Sequence, residues 1–208
     1  MPTLPETPFE LNGGCFCSAI RYKISVPELE LRPKVDSNPK AEISPPNKVS
    51  ERLPMISLDH CTSCRRIAGA IIESWIIIPQ AWVQFALQPR TNASTSPDQL
   101  IKPTTIEYLM PDKAIQEKTY LTYFESSETS NRTFCGKCGT HLTFYYSGTP
   151  GEQSMRNKWG PYFDVAGGTL DKESLEMEGY KPGRHVWADD GIDWVKKLLK
   201  EGENSLRD

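Results

Sequence analysis

Six cysteines stand in three tight pairs: Cys15 and Cys17, Cys61 and Cys64, and Cys135 and Cys138. Thiolates this close in sequence can bend around one tetrahedral ion from a single turn, which is how zinc knuckles are built. Two of the pairs have the CxxC spacing of such a knuckle. Cys15 and Cys17 are one residue closer, and Gly13 and Gly14 beside them permit the tight backbone that a CxC chelate needs. Six thiols cannot all serve one tetrahedral ion. Either four of them close one site and two are left over, or there are two sites, one complete and one short of protein ligands. A closed site is structural, whereas an incomplete one keeps a position for water or substrate and is where activity is expected. Spacing alone does not say which pairs share an ion. A thioredoxin-type redox reading of Cys61 and Cys64 would need a βαβ context, and the sequence pattern offers none.

The elements that must position these thiols read mostly as strands. The chain has 208 residues and a net charge of −3, the size of a single domain with long loops. Gly and Pro make up about 15% of it against a usual ~12%, which favours turns over a helical bundle. Residues 19–26 (AIRYKISV) alternate as a strand leaving the first knuckle. Residues 27–54 carry Pro27, Pro33, Pro39, Pro45, Pro46 and Pro54 and read as a long loop. Residues 73–78 (ESWIII) and 81–87 (AWVQFAL) are short and rich in β-branched and aromatic residues, and they read as a hairpin turning at Pro79 and Gln80. Residues 88–102 and 147–158 are polar and turn-rich, hence loops. Strands are expected at 104–110, 118–125, 132–134, 141–146, 162–166 and 184–188. The one convincing helix is 192–200, where Ile192, Val195, Leu198 and Leu199 recur at helical spacing.

The start of the chain lacks the uninterrupted apolar stretch of a secretory signal. The most apolar region, 67–87, is broken by Glu73, Pro79 and Gln84, unlike a membrane span. The expectation is a cytoplasmic protein, where paired cysteines are metal ligands more readily than disulfides. The acidic balance, and the lack of a Lys/Arg stripe interleaved with aromatics, argue against nucleic acid as a partner; a membrane partner is not expected either. A homodimer is compatible with the composition.

With the pairs located, the sequence resembles the glutathione-dependent formaldehyde-activating family, which includes centromere protein V. The resemblance is carried by Gly13-Gly14-Cys15-Phe16-Cys17 with Ile20-Arg21-Tyr22, by His60-Cys61-Thr62-Ser63-Cys64-Arg65-Arg66 with Gly69-Ala70, and by Phe134-Cys135-Gly136-Lys137-Cys138-Gly139-Thr140. Asp164-Val165-Ala166 with Gly168-Thr169-Leu170 matches further on, and His185-Val186-Trp187 with Trp194 matches more loosely. It implies a mainly β, zinc-binding, antiparallel fold of the β-tent kind, one domain with its core over about residues 11–200. Cys15, Cys17, Cys135 and Cys138 would then hold a structural zinc. The family's second zinc is held by a CxCxxC run, here residues 59, 61 and 64, and position 59 is Asp59, not Cys. Asp59, Cys61 and Cys64 form a candidate site with an open fourth position; a carboxylate is harder than a thiolate and leaves more positive charge on the metal. His60 is a further candidate ligand.

The activity implied is that of a zinc-dependent carbon–sulfur lyase resembling S-(hydroxymethyl)glutathione synthase. The small-molecule partner would be glutathione or another thiol, and the open zinc position would hold it as thiolate for attack on a carbonyl. Arg65 and Arg66 are candidates for contacting its carboxylates or a developing oxyanion. His141 is a candidate acid or base, and Trp75, Phe144 and Tyr146 are candidate pocket walls or core. Because Asp59 changes the metal site, a substrate other than the formaldehyde adduct is expected. The enzymatic alternative is a zinc-dependent hydrolase or carbon–carbon lyase acting on a small metabolite, and the other class is a non-catalytic zinc-stabilised binding module.

Overall fold

A computed structural model describes residues 3–35, 42–43, 49, 51–90, 97–149 and 158–205, with backbone alone at 42–43 and 203–205. The fold is mainly β. Strands β1 (Phe9–Gly14), β2 (Ile20–Val26) and β6 (Val83–Leu87) form a three-stranded sheet in the order β1-β2-β6. The other eight strands among the described residues are β3 (Glu42–Ile43), β4 (Met55–Asp59), β5 (Glu73–Pro79), β7 (Leu121–Ser127), β8 (Ser130–Cys135), β9 (His141–Tyr146), β10 (Tyr162–Ala166) and β11 (Arg184–Val186). They form a second sheet in the order β3-β11-β4-β5-β10-β9-β8-β7. Every pairing is antiparallel except that of β11 with β4.

One hydrophobic core joins the two sheets. Leu11, Ile20, Ile24, Val83, Phe85 and Leu87 from the smaller sheet meet Ile76, Ile78, Leu142, Phe163 and Val165 from the larger. Period-2 alternation dictates this assignment: in β2 the buried residues Ile20, Tyr22, Ile24 and Val26 fall on one face. Strand β5 is buried on both faces. Ile76 and Ile78 enter the core, while Glu73, Trp75 and Ile77 face the opposite side, where the second cysteine pair lies. The first strand needs glycine where it crosses this core, since a Cβ on Gly13 would lie 2.6 Å from the Thr169 carbonyl oxygen.

Several sequence expectations are corrected here. Residues 73–78 and 81–87 are strands but not a hairpin, for β5 and β6 belong to different sheets. The 3₁₀ turn Gln80–Trp82 carries the chain from one sheet to the other, and Pro79-Gln80 lacks the Gly or Asn that a tight hairpin turn requires. Residues 104–110 are not a strand. Thr104 caps helix α2 (Thr105–Leu109) in a reciprocal capping box with Glu107. Residue 118 ends helix α3 (Lys113–Lys118), capped by the Asp112 side chain, so the expected strand 118–125 starts later, at Leu121. The C-terminal helix α5 (Asp193–Ser205) is present but is not alone: α1 (Thr62–Ala68) and α4 (Lys172–Leu175) were not foreseen, nor were β1 and β4.

The loops expected at 27–54, 88–102 and 147–158 lie partly outside the described residues. Within the first, the buried guanidinium of Arg32 donates to the carbonyls of Pro27, Pro5, Glu6 and Thr7, anchoring the N-terminal segment. Strand β11 stops at Val186 rather than Ala188 because Trp187 turns left-handed, with φ 55°. Among the described residues no helix is long and apolar enough to cross a membrane.

Candidate metal centres

The first and third cysteine pairs meet. Cys15 leaves the end of β1, and its turn closes by Ser18 N–H donating to the Cys15 carbonyl at 3.0 Å, with Ser18 at φ 60°. Cys135 ends β8, and Gly139 N–H closes the other knuckle on the Cys135 carbonyl at 2.8 Å, with Gly139 at φ 76°. The knuckles are tied to each other by Phe16 N–H donating to Thr140 Oγ1 at 3.2 Å. All six cysteines are free thiols. The sulfurs of Cys15 and Cys17 are 3.6 Å apart and those of Cys17 and Cys135 are 3.7 Å apart; with Cys138 the four lie within 4.8 Å of one another. A tetrahedral ion with bonds of about 2.3 Å would place its sulfurs about 3.8 Å apart, so the four thiols fit one.

The electrostatics of the cluster differ from thiol to thiol. Burial pushes the Cys15 and Cys135 thiols up. Burial also works against a Cys138 anion, but hydrogen bonds from the Thr140 hydroxyl and backbone, from the Cys17 backbone and from Cys135 outweigh it and bring that thiol down to about 6. Backbone N–H groups also reach the sulfurs directly, as where Ile20 N–H donates to Cys15 Sγ at 3.3 Å.

The second pair is built on one short stretch. Asp59 is the last residue of β4, Cys61 is the N-cap of α1, and Cys64 lies in its first turn, with Gly69 closing the helix at φ 67°. One carboxylate oxygen and the two sulfurs come within 4.8 Å of one another, a second group able to hold a metal ion. The carboxylate is oriented on both sides: Oδ1 accepts from Cys61 N–H at 2.8 Å and Oδ2 from Trp75 Nε1–H at 3.0 Å. Each oxygen keeps a free lone pair, so Asp59 fits as a one-oxygen ligand. Cys64 is buried, and burial pushes its thiol up to about 12 against the opposing pull of Arg132.

Arg132, on β8, is the residue that sequence reasoning missed. Its Nη2 donates to Cys64 Sγ at 3.5 Å, its Nε donates to Ser126 Oγ at 3.3 Å, and its guanidinium carbon sits 4.7 Å from the Phe144 ring centre. Strand order brings it there: Arg132, Phe144 and Asp164 are register neighbours across β8, β9 and β10. Burial and the Asp59 charge raise the Asp164 carboxyl to about 8, with Arg132 opposing. The advance signal was a charged residue at the start of the strand expected over 132–134, and the structure buries it together with its neighbours Asn131 and Thr133.

The remaining candidates separate. Arg65 is half-buried and Arg66 exposed on α1, and the guanidinium that touches the cluster belongs to Arg132 instead. His60 is turned away: its Nε2 lies 3.0 Å from His185 Nδ1, and the two rings stack. His141 is buried, 3.5 Å from the Glu73 carboxylate, against the Phe134 face and the Trp75 edge. It stands with the wall of the site rather than among its ligating atoms. Trp75 and Phe144 do line the cluster, while Tyr146 is exposed. No protein-family model matches the chain, and no curated protein matches it.

Proposed function

We propose that the protein is a zinc-dependent carbon–sulfur lyase of the glutathione-dependent formaldehyde-activating kind, with a β-tent fold, one structural zinc and one catalytic zinc. The observation that carries the reading is the meeting of Asp59, Cys61 and Cys64 as a three-donor cluster apart from the closed four-thiol cluster. Three protein ligands leave a fourth position for substrate, the mark of a catalytic zinc site. Zinc bound there would supply Lewis-acid charge that favours a thiolate over a thiol.

The chain's own residues define the rest of the site. Trp75 holds the Asp59 carboxylate in one orientation through Nε1. Arg132 brings a positive charge against Cys64, offsetting part of the negative charge of one carboxylate and two thiolates. Trp75, Phe144 and Ala166 form an apolar wall that limits water at the cluster. The Glu73 carboxylate oxygen Oε2 lies 3.5 Å from His141 Nδ1, and neither atom has a hydrogen-bond partner among the described residues. The substrate is a small thiol adduct or polarised carbonyl compound, and the oxygen ligand at position 59 favours one other than the formaldehyde adduct.

Metal analysis together with a thiol–aldehyde exchange assay tests the reading. Two zinc ions per chain are expected, one of them lost in Cys61→Ala, along with faster interconversion of a thiol and its hydroxyalkyl adduct, followed by exchange NMR. A single tight zinc that survives Cys61→Ala, with no acceleration by the wild-type chain, would instead make the protein a zinc-stabilised binding module.

A further inference from the structure

The Cys61–Cys64 pair carries a second chemistry that does not need the metal. The sequence offered no βαβ context for a redox pair, but the structure places the pair between β4 and β5 on helix α1, although those two strands are antiparallel to each other. Arg65 N–H donates to the Cys61 carbonyl at 2.9 Å, so Cys61 already begins the helical spiral. Helical rise and radius then put its Cα about 5 Å from that of Cys64, inside the range a disulfide spans. The sulfurs lie within 4.8 Å of each other.

The two sulfurs are not equivalent. Cys61 is half-exposed and followed by the exposed residues Thr62 and Ser63, so a small molecule can reach it. Cys64 is buried against Trp75 and Ala166, with Arg132 Nη2 on its sulfur. This is the asymmetry that a dithiol exchange reaction uses, one accessible sulfur and one shielded sulfur behind it. In the four-thiol cluster the arrangement differs, because every sulfur there has close partners from two knuckles far apart in sequence.

We propose that the metal-free Cys61–Cys64 pair is a thiol–disulfide exchange centre for small organic disulfides. The Cys61 sulfur attacks one sulfur of the disulfide RSSR, expelling the first RS⁻ and leaving a mixed disulfide on Cys61. The Cys64 sulfur then attacks the Cys61 sulfur, closing the Cys61–Cys64 bond and expelling the second RS⁻. The two thiol protons end on the two RSH molecules, and two electrons pass from the dithiol to RSSR. Metal and exchange compete for the same sulfurs, so oxidation releases the ion and binding of the ion protects the pair.

The test uses the full chain and 2-hydroxyethyl disulfide, with modified cysteines located by differential alkylation and mass spectrometry and with metal content measured in parallel. After mild chelation, a Cys61–Cys64 disulfide is expected with release of two thiols. With zinc restored at roughly ten times its Kd, the rate should fall about tenfold. Cys64→Ser should accumulate the 2-hydroxyethylthio adduct on Cys61, and Cys61→Ser should leave Cys64 unmodified. Asp59→Asn keeps all six thiols and removes the carboxylate ligand, so it should react without chelator. Adducts on Cys64 as readily as on Cys61, or a wild-type chain that stops at the mixed disulfide, would overturn the proposal. Disulfide closure in a chain that never held metal at this pair would instead leave the exchange centre standing and remove the zinc-lyase reading alone.

Discussion

The two clusters share a ligand type but are assembled in opposite ways. In the four-thiol cluster Cys17 and Cys135 are 118 residues apart, and the contact joins the end of β1 in the small sheet to the end of β8 in the large one. In the second cluster all three donors come from the end of one strand and the start of the next helix. An ion in the first closes a long loop and links two sheets, so its binding is coupled to folding. An ion in the second sits on a local turn that the backbone already forms. The first is closed by four soft donors. The second pairs one hard donor with two soft ones, keeps one sulfur accessible, and carries a buried guanidinium on the other.

The largest effect is expected where this comparison is broken at the long-range cluster. Cys135 is fully buried and supplies one of the four sulfurs. Apparent binding of a structural zinc contributes about 10–16 kcal/mol, as much as the whole stability of an ordinary domain. Cys135→Ala should therefore lose both metal and cooperative folding, read by near-UV circular dichroism and metal analysis. The matched change at the local cluster, Cys64→Ala, should lose its ion and still unfold cooperatively. Equal losses from the two would show that the clusters do not divide structure and chemistry in this way.

A smaller effect is expected from the group that aims Asp59. Trp75→Phe keeps an aromatic ring in the apolar wall but removes the Nε1–H that fixes the carboxylate at 3.0 Å. Losing such an outer partner typically weakens a metal site by about 10–100-fold. The decline should appear in competitive chelator titrations as a change in one ion only, with the four-thiol ion unmoved. An unchanged pair of affinities would mean that the indole does not set the carboxylate's orientation.

The three thiol pairs were legible in the cysteine spacing, but their division between two clusters was implied only by the family resemblance, and the reasons for the failures are physical. The knuckle glycines, the alternation in β2 and the short strand at 162–166 are local signals, and the structure keeps them. Arg132 and Trp75 converge on Asp59 and Cys64 because β10 and β9 stand between β5 and β8 in the larger sheet, and no local pattern encodes that order. The false hairpin arose in the same way: two good strand patterns said nothing about which sheet each would join. The missed helix α2 was different. Its capping box, Thr104 with Glu107, was written in the sequence and was outweighed by the β-branched residues around it.

The smallest effect concerns His60, which lies between two candidate ligands in sequence yet faces away from both. Its imidazole is buried, with Nε2 on His185, and a Cβ on Gly191 would sit 2.7 Å from its Nδ1. Burial first, and then the neighbouring His185, hold its pKa below 6.5. The unfolded chain therefore binds a proton at this residue below about pH 6.5 that the native chain refuses, and native stability falls as pH drops through that value. His60→Gln removes this proton uptake. The variant should be less stable at pH 7 by about 1 kcal/mol, the worth of one hydrogen bond, and the gap to wild type should narrow towards pH 5 in urea titrations. Metal content should not change. Parallel stability curves would remove His60 as the source of the acid limb, and loss of one ion would make it a ligand after all, erasing the line between the local cluster and the histidine pair behind it.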